Sequence, residues 1–493
     1  MSTNKYAPQS RDEDAKKSLL NPKSPDNTWG PGKITVMTAV PLIFLLMGLG
    51  DEWFAVSKKA IQGYMPYVDS ITFKNMSSWQ KYAKIALFLP GGFFVTWFGG
   101  GNMMTISQVT VALGIFVQFL DVDPASYGMG LLWGRVITGV GKACMMGATE
   151  ATLYTWMSKD QRPLAKGMLL GAGGISQMTT SFLYPAVIGR TAPFDLSSGV
   201  LVAVLVGGIA AAMTLGIHCS FGLAPPGLKE KKRMGFTEAF TVMFRWMGNH
   251  PMAMVHIVGY WFITGVTEAC WGAPKVEYQS LFVAWNPLFP DMFGKVHKFI
   301  QGLSAPFIGA FLGQHLPFDR LKLLPFSGLF MGFAWFAIYM EWGLGLSQTG
   351  RTFMLMVYII FLGLGYNIFC VVVFPKSADL TPKELHATMI PVSMIIGHAS
   401  QNFILDAVMG PNMKAADATY AAMGVKGRYG DRLSDYTPNL KVYAMLGFVA
   451  CIISTIFLMT RPSLDDEPKK FKPVEVGGYQ QLENVEAGES KKQ

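Results

Sequence analysis

Arg135 and Lys142 stand inside an apolar run that extends without interruption from Leu131 to Trp156. A charge at membrane depth is costly unless it faces protein, water or an opposite charge. A guanidinium cannot escape that cost by losing its proton, so Arg135 needs an anion: a carboxylate of another helix, a solute group, or carbonyls backed by water. At 3.6 residues per turn Arg135, Gly139 and Lys142 fall on one helical face, and Gly139 lets a helix or a solute approach it. Further ionisable or polar side chains interrupt other apolar stretches: Asp51 and Glu52, His256 and Glu268, Asn367, and the group His398, Gln401 and Asn402. The last three share a face by their i, i+3, i+4 spacing. Taken singly, each could be a helix-to-helix hydrogen bond. Together, an Arg and a Lys opposed to a Glu and a His could hold a small anionic or zwitterionic solute. Arg135, Lys142, Glu268, Asn367, His398, Gln401 and Asn402 are therefore the candidate binding residues. Glu268, His398 and Asp51 are the candidates for proton coupling, with histidine titrating near neutrality. Asp51 and Glu150 lie near span ends, where water could solvate them. No Gly-x4-Gly-Lys-Ser/Thr phosphate loop occurs, and the scattered histidines lack metal-ligand spacing. No metal, cofactor or enzymatic chemistry is expected.

The elements that must position these residues are membrane spans. Hydrophobic residues make up 51% of the 493-residue chain and charged residues only 15%, with a mean hydropathy of +0.31. Apolar segments recur at bilayer-crossing length, near 34–56, 82–100, 102–121, 131–156, 166–189, 198–222, 252–271, 298–315, 323–345, 352–374, 386–409 and 440–460. The fold class is thus an all-α membrane protein of twelve transmembrane helices in two six-helix bundles. Residues 1–33 and 461–493 read as disordered cytoplasmic tails, 34–222 and 251–460 as the bundles, and 223–250 as a basic cytoplasmic linker. That linker holds Ala224-Pro225-Pro226-Gly227 and Lys229-Glu230-Lys231-Lys232-Arg233. The net charge of +9 fits basic inner loops rather than a nucleic-acid partner, and places both termini inside. Asn75, in the sequon Asn75-Met76-Ser77 of a polar loop, then faces outward as a glycosylation candidate. The five cysteines form no disulfide or zinc framework. The methionines and aromatics read mainly as lipid-facing and core packing. No signal peptide precedes the first span.

The two halves echo each other faintly. Gly91-Gly92-Phe93 has a counterpart in Gly309-Ala310-Phe311-Leu312-Gly313, and Asp160-Gln161-Arg162-Pro163-Leu164-Ala165 in the stretch from Leu380 to Ala387. Parallel six-helix repeats of this kind build major facilitator transporters. Gly134-Arg135 followed by Gly139-Val140-Gly141 resembles the fourth-helix signature of the major facilitator superfamily. Within it, the run from Leu131 through Trp156 to Gly167, and Pro90-Gly91-Gly92-Phe93, is most similar to the major facilitator superfamily domain-containing protein one group. The pattern departs at Thr96 and Trp97, where the superfamily's second turn is acidic and basic. It departs again at Ala143 and Gly174, where animal members of the group carry an acidic residue and an arginine. The resemblance implies a solute carrier, surrounded by membrane lipid, that moves a small-molecule substrate across the membrane by alternating access as a monomeric transport unit. Those animal members look like lysosomal dipeptide exporters, so an amino acid or dipeptide is the implied solute. With Ala143 and Gly174 in place of that charge pair, peptide-end recognition does not carry over. An accessory membrane subunit is a candidate partner. The alternative reading is a non-transporting structural or receptor-like subunit on the same fold. Tyr479-Gln480-Gln481-Leu482 matches a tyrosine-type sorting signal and points to an endolysosomal membrane, with the plasma membrane as the other location.

Overall fold

The computed structural model describes residues 30–65, 68, 70–120, 128–158, 160–189, 193–221, 236–272, 289–314, 320–381, 385–404 and 437–460. Both tails, the Lys229–Arg233 run and the Tyr479 motif lie outside them. Among the described residues, twelve long helices follow in order: α1 Pro31–Val56, α2 Ser70–Phe98, α3 Gly100–Leu120, α4 Met129–Trp156, α5 Arg162–Ile188 and α6 Leu196–Phe221, then α7 Pro251–Gly272, α8 Phe289–Gln314, α9 Leu324–Tyr339, α10 Gln348–Asp379, α11 His386–Phe403 and α12 Thr437–Met459. The chain punctuates them where its residues require it. Gly99, at φ +84°, is the single residue that separates α2 from α3, a left-handed conformation that costs glycine little. Pro31, Pro163 and Pro325 open α1, α5 and α9, where a missing N–H is no loss.

Two expectations change. Asn75 lies in the first turns of α2, exposed, rather than in a loop. The stretch is polar, but it contains neither proline nor glycine to stop the helix from extending beyond the bilayer-length apolar core. The basic linker, in turn, contains a helix, Phe236–Asn249, which buries Met243 and Trp246. Phe240 on that helix meets Phe93 of α2 at 5.2 Å between ring centroids.

The same pairing rules operate in both halves. In the first, α3 packs on α4, α2 on α4, α1 on α5 and α6, and α3 on α6. In the second, α9 packs on α10, α8 on α10, α7 on α11 and α12, and α9 on α12. The halves meet through α2–α11 and α5–α8, with α4–α11 and α5–α10 alongside. Each of these contacts has its partner under exchange of the halves, as a twofold repeat requires. Six of the helices are long and apolar enough to cross a bilayer on composition alone: α1, α3, α6, α9 with its preceding 3-10 turn, α10 and α12. Most of the polar interior comes from the others.

Candidate solute-binding site

Arg135 finds its anion inside its own half. One guanidinium nitrogen lies 3.2 Å from the Asp51 carboxylate and 3.2 Å from the Asp51 carbonyl. The other donates to the Gln80 side-chain oxygen. Lys142 pairs with the second oxygen of the same carboxylate, and the Gln80 amide donates to Asp51 at 2.9 Å. The Phe54 ring, 4.6 Å from the guanidinium carbon, closes the remaining side. Asp51 and Arg135 are both buried. Gly139 admits a helix rather than a solute: a Cβ there would collide with the Gln80 carbonyl of α2. On the opposite face Gly134 and Gly141 bring α3 equally close, with a Cβ at Gly141 falling 2.9 Å from the Ser107 carbonyl. The face that sequence periodicity assigned to a polar path is a three-helix ion-pair joint, and Asp51 belongs to it instead of to water.

The cavity lies beyond this joint, between the halves. It measures about 180 Å3 and takes Lys84 of α2 and Met146 of α4 from one half. From the other come Trp261 and Glu268 of α7, Phe374 of α10 and His398 of α11. Glu268 accepts a hydrogen bond from the Tyr366 hydroxyl, and the charges that act on it are Lys84, Lys166 and Lys298. His398 stacks on Phe88 of α2 at 5.7 Å and bonds Gln401. Trp261 packs edge-on to Phe374 at 4.5 Å and donates to Ser377 at 3.1 Å. A second cavity of about 100 Å3 adjoins it, bounded by Lys166, Gln177 and Gln301, and Met146 borders both.

Lys166 and Glu150 form a second fully buried ion pair. Glu150 is therefore not solvated: α4 continues past it to Trp156, and α5 brings Lys166 against it. The Lys166 ammonium also sits 3.2 Å from the centroid of the Phe374 ring, in the other half. A cation over an aromatic face is attracted by the ring quadrupole, so this lysine is tied to its own half by an ion pair and to the other half by a ring.

The remaining candidates divide. Asn367 is a tether, its amide donating to Ser304 at 2.7 Å and to the Gln301 carbonyl at 3.2 Å, which pins α10 to α8. His256 is held by the Met252 carbonyl at 2.8 Å among Tyr260 and Phe457, on the α7–α12 seam. The Asn402 side chain lies outside the described positions. Sequence reasoning missed Lys84, Lys166 and Trp261. Lys84 follows a run of polar residues that reads as a loop, and nothing in the spacing of Lys166 or Trp261 marks them. The one available signal was that Lys84 stands one turn from Gln80.

The seam between the halves is tight at the end where α1 begins and α4 terminates. Thr96 meets Thr388, 2.7 Å between hydroxyl oxygens, and Arg320 pairs with Asp160 at 3.0 Å. A Cβ on Gly309 would lie 2.5 Å from the Pro163 carbonyl, and midway along α5 one on Gly174 would lie only 2.6 Å from the Gly302 amide nitrogen.

No family model and no curated protein sequence matches the chain. Solved structures do. One is a major facilitator superfamily transporter, FucP, in the outward conformation: TM-score 0.60, 11% identity, covering 86% of this chain and 99% of that one. Another is the proton:xylose symporter XylE bound to 6-bromo-6-deoxy-D-glucose: TM-score 0.61, 13% identity, covering 87% and 96%. The chain has the major facilitator fold.

Proposed function

We propose that the protein is a secondary active or facilitative transporter that moves a small polar organic solute, anionic or zwitterionic, across its membrane by alternating access. The observation that carries this reading is the cavity itself. It lies at the meeting of two similarly built halves, takes ionisable side chains from both, and is closed off at one end by the Thr96–Thr388 and Asp160–Arg320 contacts. A rocking of the halves about such a site would expose it alternately to the two sides. An amino acid or dipeptide fits a cavity that Lys84 and Glu268 both border, and the Tyr479 motif supports an endolysosomal membrane. The monomer is the transport unit, with an accessory membrane subunit as a candidate partner.

Uptake of a solute library into proteoliposomes containing the purified protein tests the reading. The expected result is saturable, protein-dependent accumulation of at least one anionic or zwitterionic solute. Binding without passage for every solute would instead favour a receptor-like subunit.

A further inference from the structure

Soft contacts separate the larger cavity from its smaller neighbour. Met146 of α4 borders both. Lys166, which borders the smaller, holds its ammonium 3.2 Å from the centroid of the Phe374 ring, which borders the larger. A thioether side chain adapts its shape to what lies beside it, so one solute can reach from one cavity into the other.

The smaller cavity has its own chemistry. Beside Lys166, which Glu150 holds, its polar lining is Thr149, Gln177 and Gln301. Gln177 of α5 donates its amide to the Glu52 carboxylate of α1 at 3.4 Å. That carboxylate fixes which way round the amide lies, since an oxygen turned toward it would be repelled. The Gln177 oxygen therefore points away from Glu52, and it is buried with no hydrogen-bond partner among the described residues. Thr149 donates its proton to the Met145 carbonyl at 2.7 Å, which leaves its own oxygen as an acceptor. Gln301 of α8 accepts from Lys298 at 3.2 Å, so its amide hydrogens are what it has to offer. Two acceptors and a donor around about 100 Å3 suit a group that both donates and accepts. A cation there would meet the Lys166 ammonium, and an anion would meet the Gln177 oxygen with Glu52 behind it. An apolar tail would leave that buried oxygen bare, which is costly, whereas a neutral amide gives it a partner.

We propose that the smaller cavity is a subsite for the uncharged, hydrogen-bonding tail of the solute, a carboxamide or the related ureido group, whose charged head lies in the larger cavity. Gln177, Thr149 and Gln301 read the tail. This deepens the transport reading and rests on it for the placing of the head and for passage. It narrows the solute to one with a charged head and a neutral polar tail.

The test is calorimetric titration of the full chain in nanodiscs with five amino acids that share one head group. Glutamine and citrulline carry neutral polar tails, glutamate and arginine are their charged counterparts, and norleucine has an apolar tail. At least one of the neutral polar pair should bind about three- to tenfold more tightly than both its charged counterpart and norleucine, the range for a neutral hydrogen bond. Gln177→Leu and the isosteric Thr149→Val should each shrink that margin. The margin is a ratio of dissociation constants within one preparation, so partial loss of folded protein does not imitate the result. No binding by any of the five, no margin in the parent (the outcome if water alone fills the space), a tighter charged counterpart, or a margin unchanged in both variants overturns the subsite. Proteoliposome uptake separates this from the transport reading. The expected margin in binding without uptake of any of the five would remove transport and keep the subsite. Uptake with no preference for a neutral polar tail would do the reverse.

Discussion

Lys166 is tied at once to a carboxylate of its own half and to an aromatic ring of the other, and its burial makes the consequences of losing it asymmetric. Lys166→Met leaves Glu150 buried without a counter-charge, which costs about 3–5 kcal/mol. Replacing both, as Glu150→Gln with Lys166→Met, removes the stranded charge and should recover most of that loss. Denaturant unfolding of the four proteins of the double-mutant cycle measures the difference, and equal destabilisation by the single and double replacements would show that the pair is not acting as one unit. The same logic applies to Arg135→Ala, where Asp51 keeps Lys142 but loses the guanidinium and its grip on Gln80; the expected result is low melting temperature and yield. A correctly folded remnant should still bind solute, because the cavity lies beyond the joint. Glu268 and His398 are different in kind: both line the cavity, where a transported solute would meet them. Glu268→Gln and His398→Ala should each change the rate of uptake while leaving the protein foldable, and uptake by both variants equal to the parent's would make these residues structural. Of these residues, Arg135, Glu268 and His398 were legible from sequence, since an ionisable group in an apolar run announces itself. What sequence could not give was the partner. Asp51 lies three helices away from Arg135 in chain order, and its pairing is a property of packing.

At the scale of elements, glycine decides which helices can touch. The Gly174 Cα faces α8 so closely that a Cβ would lie 2.6 Å from Gly302 N and 2.7 Å from Gly302 Cα. No side chain, least of all a guanidinium, fits there while α5 and α8 remain in contact. Gly174→Leu is therefore expected to pry this seam and shift the protein toward a conformer in which the two helices part. Protease or thiol-reagent accessibility at the start of α5 should rise in that variant, and unchanged accessibility would count against a seam this tight. A smaller element-scale effect concerns α6. Asp195, exposed before its first turn, accepts the Ser198 N–H at 3.0 Å and the hydroxyls of Ser198 and Ser197 at 2.5 and 2.9 Å. The Ser198 hydroxyl above all, then its N–H and Ser197, hold the Asp195 carboxyl below the usual carboxylate range. A carboxyl depressed by folding contributes its stability above the unfolded value, about pH 4, and loses it as pH falls through the lower folded value. Asp195→Ala should thus speed amide exchange in the first turn of α6 at neutral pH, and the parent should show the same fraying only in acid. The order of the long helices follows largely from apolar stretches and from Gly and Pro, which is why it can be read in the sequence. The helical start of α2 and the Phe236–Asn249 helix cannot, because their residues are polar or amphipathic and no bilayer-length signal marks them.

For the molecule as a whole, the two halves repeat one set of helix pairings, and the contacts between them come in exchanged pairs. The faint echo at Gly91 and Gly309 hinted at that repeat; the pairing itself is a three-dimensional fact. If the halves rock, the contacts at the closed end must break in every cycle. Thr96→Cys with Thr388→Cys, at positions whose hydroxyl oxygens stand 2.7 Å apart, in a chain whose native cysteines are replaced, should cross-link and halt uptake, and a reductant should restore it. Uptake that continues in the cross-linked protein would exclude a cycle that opens this end. The Asp160–Arg320 pair is also the seam's exposed tie, with 67% of the aspartate side chain open to solvent, unlike Thr96–Thr388 or the glycine crossings. Exposed ion pairs contribute little and are screened within about 8 Å at physiological ionic strength. Dissolved salt thereby gains a hold on the lifetime of one conformation that it lacks on the buried joints at Asp51 and Glu150, and the side of the membrane bathing this end would set the dwell time through its ionic strength, without any ligand taking part.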